Sequence, residues 1–168
     1  MKKSYKYALM AIAVPFFIAA SGFAAAQDGA ARELFPEAGA FTAKKCGDIY
    51  YLEASRDNKA AGYCINVTAK GYGGPIYMVV GVEPAGTIRG IRILSHSETP
   101  GIGAAINEVS SVGRTPWFLA QFTGKRAGAI RLKKDVDAVS GATVSSAAVT
   151  NAVNECVAEF LSRLKAAG

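Results

Sequence analysis

The C-terminal segment carries the pattern that most constrains the fold. Apolar residues recur there in the pattern i, i+3, i+4, i+7, at Val149, Ala152, Val153, Cys156, Val157, Phe160, Leu161 and Leu164. This spacing collects them on one stripe of a 3.6-residue helix. We therefore predict a long amphipathic helix whose apolar stripe packs against the rest of the domain.

A cluster of small and hydroxyl-bearing residues precedes this stripe, in the sequence Asp137-Ala138-Val139-Ser140-Gly141-Ala142-Thr143-Val144-Ser145-Ser146. Unpaired backbone N–H groups and the positive end of the helix dipole meet at a helix N-terminus, and the small residues there let a ligand oxygen approach the main chain. The segment therefore suits a phosphate group. The alternative is that Ser140, Thr143 or Ser145 only caps the helix, which is the commoner role of such residues.

Four earlier runs have the alternating, β-branched or aromatic composition of strands: residues 49–54, 62–68, 76–82 and 87–94. Polar turn residues separate the members of each pair, so each pair is typical of a β-hairpin. A short helix is expected at residues 30–35, ending at Pro36, and residues 128–132 are a candidate further strand. We predict an α+β fold, with an antiparallel sheet built from hairpins and helices packed against it.

The N-terminus has the features of a leader. Lys2, Lys3 and Lys6 precede an uncharged run at residues 7–26, and the first acidic residue is Asp28. Basic residues remain on the cytoplasmic side, so the domain that follows is expected to be extracytoplasmic. Residues 1–26 are either a signal peptide, cleaved after the alanines that precede Gln27, or a single transmembrane anchor. Residues 27–168 form one domain.

Charge and cysteine content exclude some classes of function. The net charge of +6 includes the three leader lysines, and no basic block with interleaved aromatics argues for nucleic acid. The three cysteines are too scattered for a zinc or iron–sulfur site. Cys156 lies on the apolar stripe. Cys46 and Cys64 flank the first hairpin, but simple register places Cys64 opposite a residue near Tyr51, which disfavours a disulfide between them.

Two further stretches are distinctive. Gly71-Tyr72-Gly73-Gly74-Pro75 indicates an irregular loop in which backbone approaches something closely, and a plain connector is the alternative. Ser95-His96-Ser97-Glu98-Thr99-Pro100-Gly101-Ile102-Gly103 follows a predicted strand and contains the single histidine of the chain. By itself it predicts only a turn.

Together these motifs carry a resemblance. Asp137 followed by Ser140-Gly141-Ala142-Thr143 resembles the flavinylation motif of the FMN-binding domain family with covalently bound flavin, which includes the G subunit of the Rnf electron-transport complex and the C subunit of the Na+-translocating NADH:quinone reductase. The loop from Gly71 is similar to the family's Gly-Tyr-Gly-Gly-Pro-Ile stretch. The segment from His96 resembles His-x-Glu-Thr-Pro-Gly-Leu-Gly, with Ile102 in place of leucine.

The resemblance implies a set of site residues. FMN is expected on Thr143 through a phosphodiester bond, attached by a flavin transferase that reads the motif formed with Asp137, Ser140, Gly141 and Ala142. It also implies that Glu98, Thr99 and the main chain near Gly101 meet the isoalloxazine edge or the ribityl chain, with His96 supporting the loop.

Two other groups allow two interpretations each. A helix that buries Trp117, Phe118 and Phe122 in the core is favoured over stacking of the aromatic pair on a flavin. Arg131, Lys133 and Lys134 are typical of a solvated face, or they draw in an anionic cofactor or an acidic partner. Residues 106–112 are expected to be a short helix or irregular.

By resemblance, the protein is an electron-transfer flavoprotein subunit of a membrane-bound, ion-translocating Rnf-type oxidoreductase. It would sit on the extracytoplasmic (periplasmic) face with integral membrane subunits as partners, and would have no substrate pocket of its own. One alternative is a free-standing extracytoplasmic FMN-binding carrier, secreted or anchored, for another reductase. The other is a flavin-free structural or binding module in which residues 140–143 only cap a helix.

Overall fold

The computed structural model describes residues 19–99, 103–107 and 116–167. The elements are α1 (Ala19–Leu34), β1 (Ala40–Cys46), β2 (Ile49–Arg56), β3 (Lys59–Lys70), β4 (Pro75–Val82), β5 (Ile88–His96), a 3₁₀ helix (Gly103–Asn107), α2 (Trp117–Ala120) and α3 (Thr143–Ala167). The strands form one antiparallel sheet in the order β1-β2-β3-β4-β5. The predicted α+β class is confirmed.

The hairpin turns follow from residues that accept positive φ. Asp57 and Asn58 join β2 to β3 with φ values of 51° and 59°, the conformation that matches the twist of the flanking strands in a two-residue hairpin. Gly86, with φ of 91°, helps to close the turn between β4 and β5. Both predicted hairpins are therefore confirmed, and each predicted strand lies largely within a longer observed one.

Helix α3 packs on one face of the sheet, as its apolar stripe predicts. Val149, Val153, Val157 and Phe160 are fully buried there. The Phe160 ring lies edge-on to Tyr51 and Tyr63, with ring centroids 4.8 and 5.3 Å apart, respectively. Such aromatic contacts add to the stability that area burial provides.

Helix α1 packs on the opposite face through its C-terminal end. Leu34 and Phe35 lie over glycines in the neighbouring strands, and a Cβ at Gly62 would overlap the Phe35 ring and come within 2.8 Å of the Val82 carbonyl oxygen. The helix begins much earlier than the predicted residues 30–35, and the expected leader boundary after residue 26 lies inside it. Residues 1–18 of the expected signal or anchor lie outside the described residues.

Nothing in the described ranges is both helical and sufficiently long and apolar to span a bilayer.

The sequence missed one strand, and two of its predictions need correction. Strand β1 was not predicted, and it forms an edge of the sheet with mostly exposed residues. Residues 128–132 do not extend the sheet: the Asn154 side chain accepts hydrogen bonds from the N–H groups of Gly128 and Ile130 at 3.0 and 3.2 Å and donates one to the Ile130 carbonyl. Trp117 is 41% exposed, although Phe118 and Phe122 are buried as predicted.

The predicted short helix or irregular segment at residues 106–112 is only partly visible. Ile106 and Asn107 end the 3₁₀ helix, and residues 108–112 lie outside the described part of the chain.

The cysteines do not form a disulfide. Cys64 pairs with Leu52 in the β2–β3 register, close to the expected position, and belongs to the apolar cluster beneath α1. Cys46 pairs with Ile49 and packs against the cluster on the α3 face. Because the two thiols lie in different clusters, they are held apart, and Cys46, Cys64 and Cys156 are all free.

Candidate functional site

The N-terminus of α3 is accessible to solvent. Ser140, Gly141, Thr143 and Val144 are exposed, and Gly141 has φ of 76°, a left-handed conformation that suits glycine. Among the described residues, the backbone N–H groups of Thr143, Val144 and Ser145 have no acceptor. The first turn of the helix is therefore available to an anion.

The hydroxyl groups of this segment do not cap the helix in the expected way. Ser140 and Thr143 make no side-chain hydrogen bond to any described residue. The Ser145 hydroxyl instead donates to Glu98, and Ser146 accepts a hydrogen bond from the Val139 N–H at 3.1 Å. Ser146 thus fixes the chain that enters α3, while Ser145 ties the helix to a distant loop.

Glu98 is the residue through which Ser145 is joined to that loop. Its side chain is buried, with the residue only 6% exposed, and its two carboxyl oxygens have different partners. Oε2 accepts the Ser145 hydroxyl, and Oε1 accepts the Gly73 N–H at 3.0 Å. The Glu98 N–H donates to Nδ1 of His96 at 3.3 Å, so the histidine supports this loop. One carboxyl group therefore joins the segment after β5, the loop after β3 and the first turn of α3.

The glycine loop after β3 is shaped by this carboxyl group. A Cβ at Gly71 would overlap Glu98 Oε1, and one at Gly73 would lie 2.5 Å from the Ser97 carbonyl oxygen. The Gly71 N–H donates to the Gly74 carbonyl at 2.8 Å, and the Tyr72 N–H donates to the Ser145 hydroxyl at 3.5 Å. The close approach predicted from the glycines is thus an approach to Glu98 and to the end of β5.

The backbone of Asp137 is held by the side chain of Gln121. Its N–H donates to Gln121 Oε1 at 2.8 Å, and its carbonyl accepts Gln121 Nε2 at 3.2 Å. The Asp137 carboxylate is exposed and, within the described residues, has neither an ion-pair nor a hydrogen-bond partner. Gln121, at the end of α2, therefore positions the start of the motif and leaves the acidic side chain free.

The residues predicted from the two motifs come together only in part. The segment from Asp137 to Thr143 leads into α3, and Glu98 reaches its first turn through Ser145. Thr99 is exposed, and its carbonyl accepts the Ala104 N–H at 3.1 Å. Gly101 lies outside the described residues. Sequence reasoning did not assign site roles to Gln121 or to the Ser145 link, because neither has a local signature.

The basic residues before the motif face solvent. Lys133 and Lys134 are exposed, and Arg131 donates from its N–H and Nε to Asp135 at 2.8 and 3.4 Å. The backbone hydrogen bond from Arg131 is the main cause that lowers the pKa of the Asp135 carboxyl. Among the described residues, no group of three His, Cys, Asp or Glu side chains is arranged to hold a metal ion.

Comparison with known proteins places the chain in a family. The sequence model described as FMN-binding domain matches residues 71–158, just over half of the chain. The chain is 36% identical over 137 residues to the G subunit of the proton-translocating ferredoxin:NAD(+) oxidoreductase complex of Clostridium ljungdahlii, covering 78% of this chain and 70% of the relative. It is 33% identical over 144 residues to the G subunit of the ion-translocating oxidoreductase complex of Methanosarcina acetivorans, covering 78% and 73%.

The fold agrees with these sequence matches. The crystal structure of Shewanella oneidensis NqrC superposes with a TM-score of 0.57 at 25% identity, covering 78% of this chain and 73% of that one. The resemblance seen in the motifs is thereby confirmed, and the chain belongs to the FMN-binding domain family.

Proposed function

We propose that this protein carries FMN on Thr143 through a phosphodiester bond and relays electrons as the G-type subunit of a membrane-bound, ion-translocating Rnf-type oxidoreductase. The observation that carries the proposal is the exposed Thr143 hydroxyl at the first turn of α3. The backbone N–H groups of this turn lack acceptors in the described part of the chain. Thr143 also lies inside the segment that matches the FMN-binding domain family.

The residues at this turn fit a flavin phosphate. A phosphodiester keeps a negative charge, which unpaired N–H groups and the helix dipole stabilise. Gly141 has open space where a Cβ would stand, so a phosphate oxygen can approach its main chain. Exposed Ser140 adds a hydroxyl beside it.

Attachment requires a defined exchange of bonds. The Thr143 oxygen forms a bond to phosphorus and loses its proton, and the bond from phosphorus to a leaving group on the donor breaks. The donor must therefore be a flavin nucleotide whose phosphate already carries a leaving group, presented by a flavin transferase. The exposed, unpaired Asp137 carboxylate is accessible for recognition by that enzyme, since Gln121 forms hydrogen bonds only with the Asp137 backbone.

The remaining predicted contacts divide into two roles. Both carboxyl oxygens of Glu98 have partners within the protein, so we assign it to holding together the loop after β3 and the first turn of α3, where the cofactor would bind. Thr99 is exposed, and it remains with the main chain near Gly101 as a proposed contact of the flavin ring or ribityl chain. Bound FMN exchanges one or two electrons, and these residues fix its position and surroundings.

The relatives' names and the predicted leader support a proposal for partners and location. Two relatives are G subunits of ion-translocating complexes. We therefore propose that residues 1–26 direct or anchor the domain at residues 27–168 to the periplasmic side of the membrane, beside integral membrane subunits of a redox-driven ion pump.

The attachment is tested on the full-length chain produced with and without a flavin transferase. After denaturation, the chain made with the transferase should fluoresce in a gel and gain the mass of one flavin phosphate, because a covalent bond survives unfolding. The chain made without it should do neither. A colourless chain of unmodified mass in both cases would contradict the proposal.

Membership of a complex needs a separate experiment. Purification of the tagged chain from its native membranes should recover integral membrane subunits together with the flavin. Recovery of a flavin-carrying chain with no other subunit would instead support a free-standing extracytoplasmic carrier. The measured N-terminus of the same material decides between a cleaved signal peptide and an anchor.

A further inference from the structure

Tyr72 is a large aromatic side chain on a tightly held loop. Its backbone N–H donates to the Ser145 hydroxyl, and its neighbour Gly73 donates to Glu98. The loop is further closed by the hydrogen bond from Gly71 to Gly74. The Tyr72 backbone is thus fixed beside the first turn of α3, yet the residue is 77% exposed.

The Tyr72 ring makes few contacts that would stabilise the fold. The phenol has no hydrogen-bond partner among the described residues, and the ring is not part of either apolar cluster. Val144, next to Thr143, is also apolar and is 57% exposed. These are two of the four large hydrophobic residues that are exposed in the described part of the chain; Val144 lies in the first turn of α3, and the Tyr72 backbone is hydrogen-bonded to that turn.

We propose that Tyr72 stacks on the isoalloxazine ring, an inference that rests on the proposed attachment of FMN to Thr143. The flavin ring is flat, aromatic and electron-poor in its oxidised state, so an electron-rich phenol ring is a favourable partner for its face. The ribityl chain separates that ring from the phosphate, which allows it to reach a neighbouring loop. The exposed apolar surface of Tyr72 and Val144 would then be covered.

The stacking is tested by flavin fluorescence in the full-length chain made with a flavin transferase. A stacked tyrosine quenches flavin emission, so the folded protein should be dim and should brighten on unfolding. Tyr72→Leu should raise the emission of the folded protein by about two- to tenfold. This is the factor by which an aromatic pair of this kind favours the stacked, quenched arrangement over the unstacked one. Tyr72→Phe should keep the flavin content and also brighten, because phenylalanine is a weak quencher.

Two control variants complete the test. Tyr50→Leu removes a comparably exposed tyrosine on β2, and Trp117→Leu removes an exposed aromatic residue on α2, the helix that is followed by Gln121, which binds the Asp137 backbone. Both should leave the emission as in the wild type. Emission unchanged in Tyr72→Leu and Tyr72→Phe, or released by Trp117→Leu alone, would overturn the stacking by Tyr72.

The flavin content separates this inference from the proposed function. If the wild-type chain carries no covalent flavin after denaturation, the proposed function fails. If it carries flavin but the Tyr72 variants do not brighten, only the stacking fails. As a second measurement, the midpoint potential of Tyr72→Leu should be more positive than that of the wild type, because the phenol ring disfavours the electron-rich reduced flavin.

Discussion

At the scale of single residues, Thr143 differs from the hydroxyl-bearing residues that follow it in α3. Ser145, Ser146 and Thr150 are buried, and their hydroxyl groups are hydrogen-bonded within the protein. Thr143 is exposed and makes no side-chain hydrogen bond to a described residue. Its hydroxyl can therefore be modified without loss of a structural contact.

Thr143→Ala should abolish covalent flavin and leave the fold intact. Because the side chain has no structural partner, the free energy of unfolding should change by no more than about 0.5 kcal/mol. Thr68→Ala is the matched control, since Thr68 is an exposed threonine on β3, outside the motif, and should keep the flavin. Mass spectrometry and urea denaturation measure the two effects. Covalent flavin retained in Thr143→Ala would show that the acceptor is another residue.

Glu98 presents the opposite case, because its carboxyl group is buried and hydrogen-bonded within the protein. Its replacement by alanine leaves the Gly73 N–H and the Ser145 hydroxyl without their acceptor. Glu98→Ala should therefore lower the free energy of unfolding by about 1.5–3 kcal/mol. Glu98→Gln keeps an acceptor for Gly73 and offers Ser145 an amide donor in place of the lost acceptor, so it should cost less than Glu98→Ala, about 1 kcal/mol. Equal losses in urea denaturation would argue against these hydrogen bonds.

At the scale of elements, the two faces of the sheet are covered in different ways. Helix α3 contributes a long apolar stripe, whereas α1 docks mainly through Leu34 and Phe35. The docking of α1 depends on glycines in the strands that it covers, because a side chain at these positions would collide with Leu34 or Phe35. A Cβ at Gly90 would come within 2.8 Å of the Leu34 side chain, and one at Gly62 would meet Phe35.

Gly62→Ala should weaken the docking of α1. The added methyl group meets both the Phe35 ring and the Val82 carbonyl, and overpacking of this kind costs about 1–3 kcal/mol. Gly29→Ala, inside α1 but facing open space, should instead be neutral or stabilise by up to about 1 kcal/mol. Hydrogen exchange of α1 amides reports the docking directly. Unchanged protection in Gly62→Ala would contradict the close packing.

At the scale of the whole molecule, the layer between α1 and the sheet excludes water from Cys64. Burial raises the pKa of its thiol from 9.0 to about 12. The folded state therefore holds the thiol proton over a pH range in which the unfolded chain loses it. Below pH 9 the group adds no pH dependence, and above it the stability of the fold falls as the pH rises.

Cys64→Ala should reduce this alkaline loss. Between pH 9 and about 12, the free energy of unfolding should fall less steeply in the variant than in the wild type. Chemical denaturation at several pH values in that window measures the slopes. Thiol labelling of the native protein gives an independent check, because half-buried Cys46 should react before Cys64. Identical slopes for the two proteins would contradict an effect of the buried thiol.

The sequence alone determined the elements whose signals are local. The 3.6-residue stripe predicted α3, polar turns between alternating runs predicted two hairpins, and the motifs around Glu98 and Thr143 indicated the family. Strand β1 was not predicted, because an exposed edge strand needs no alternation of apolar and polar residues. The expected strand at residues 128–132 failed because Asn154, distant in sequence, takes up its backbone groups.

Only the tertiary structure decided how the site is assembled. Glu98 and Ser145 are 47 positions apart, and neither residue's surroundings in the sequence indicate the other. The register of five strands and the packing of α3 bring them together, and burial then makes their hydrogen bond obligatory. Periodicity specifies which face of an element is apolar, but the pairing of distant polar groups depends on how those faces are stacked.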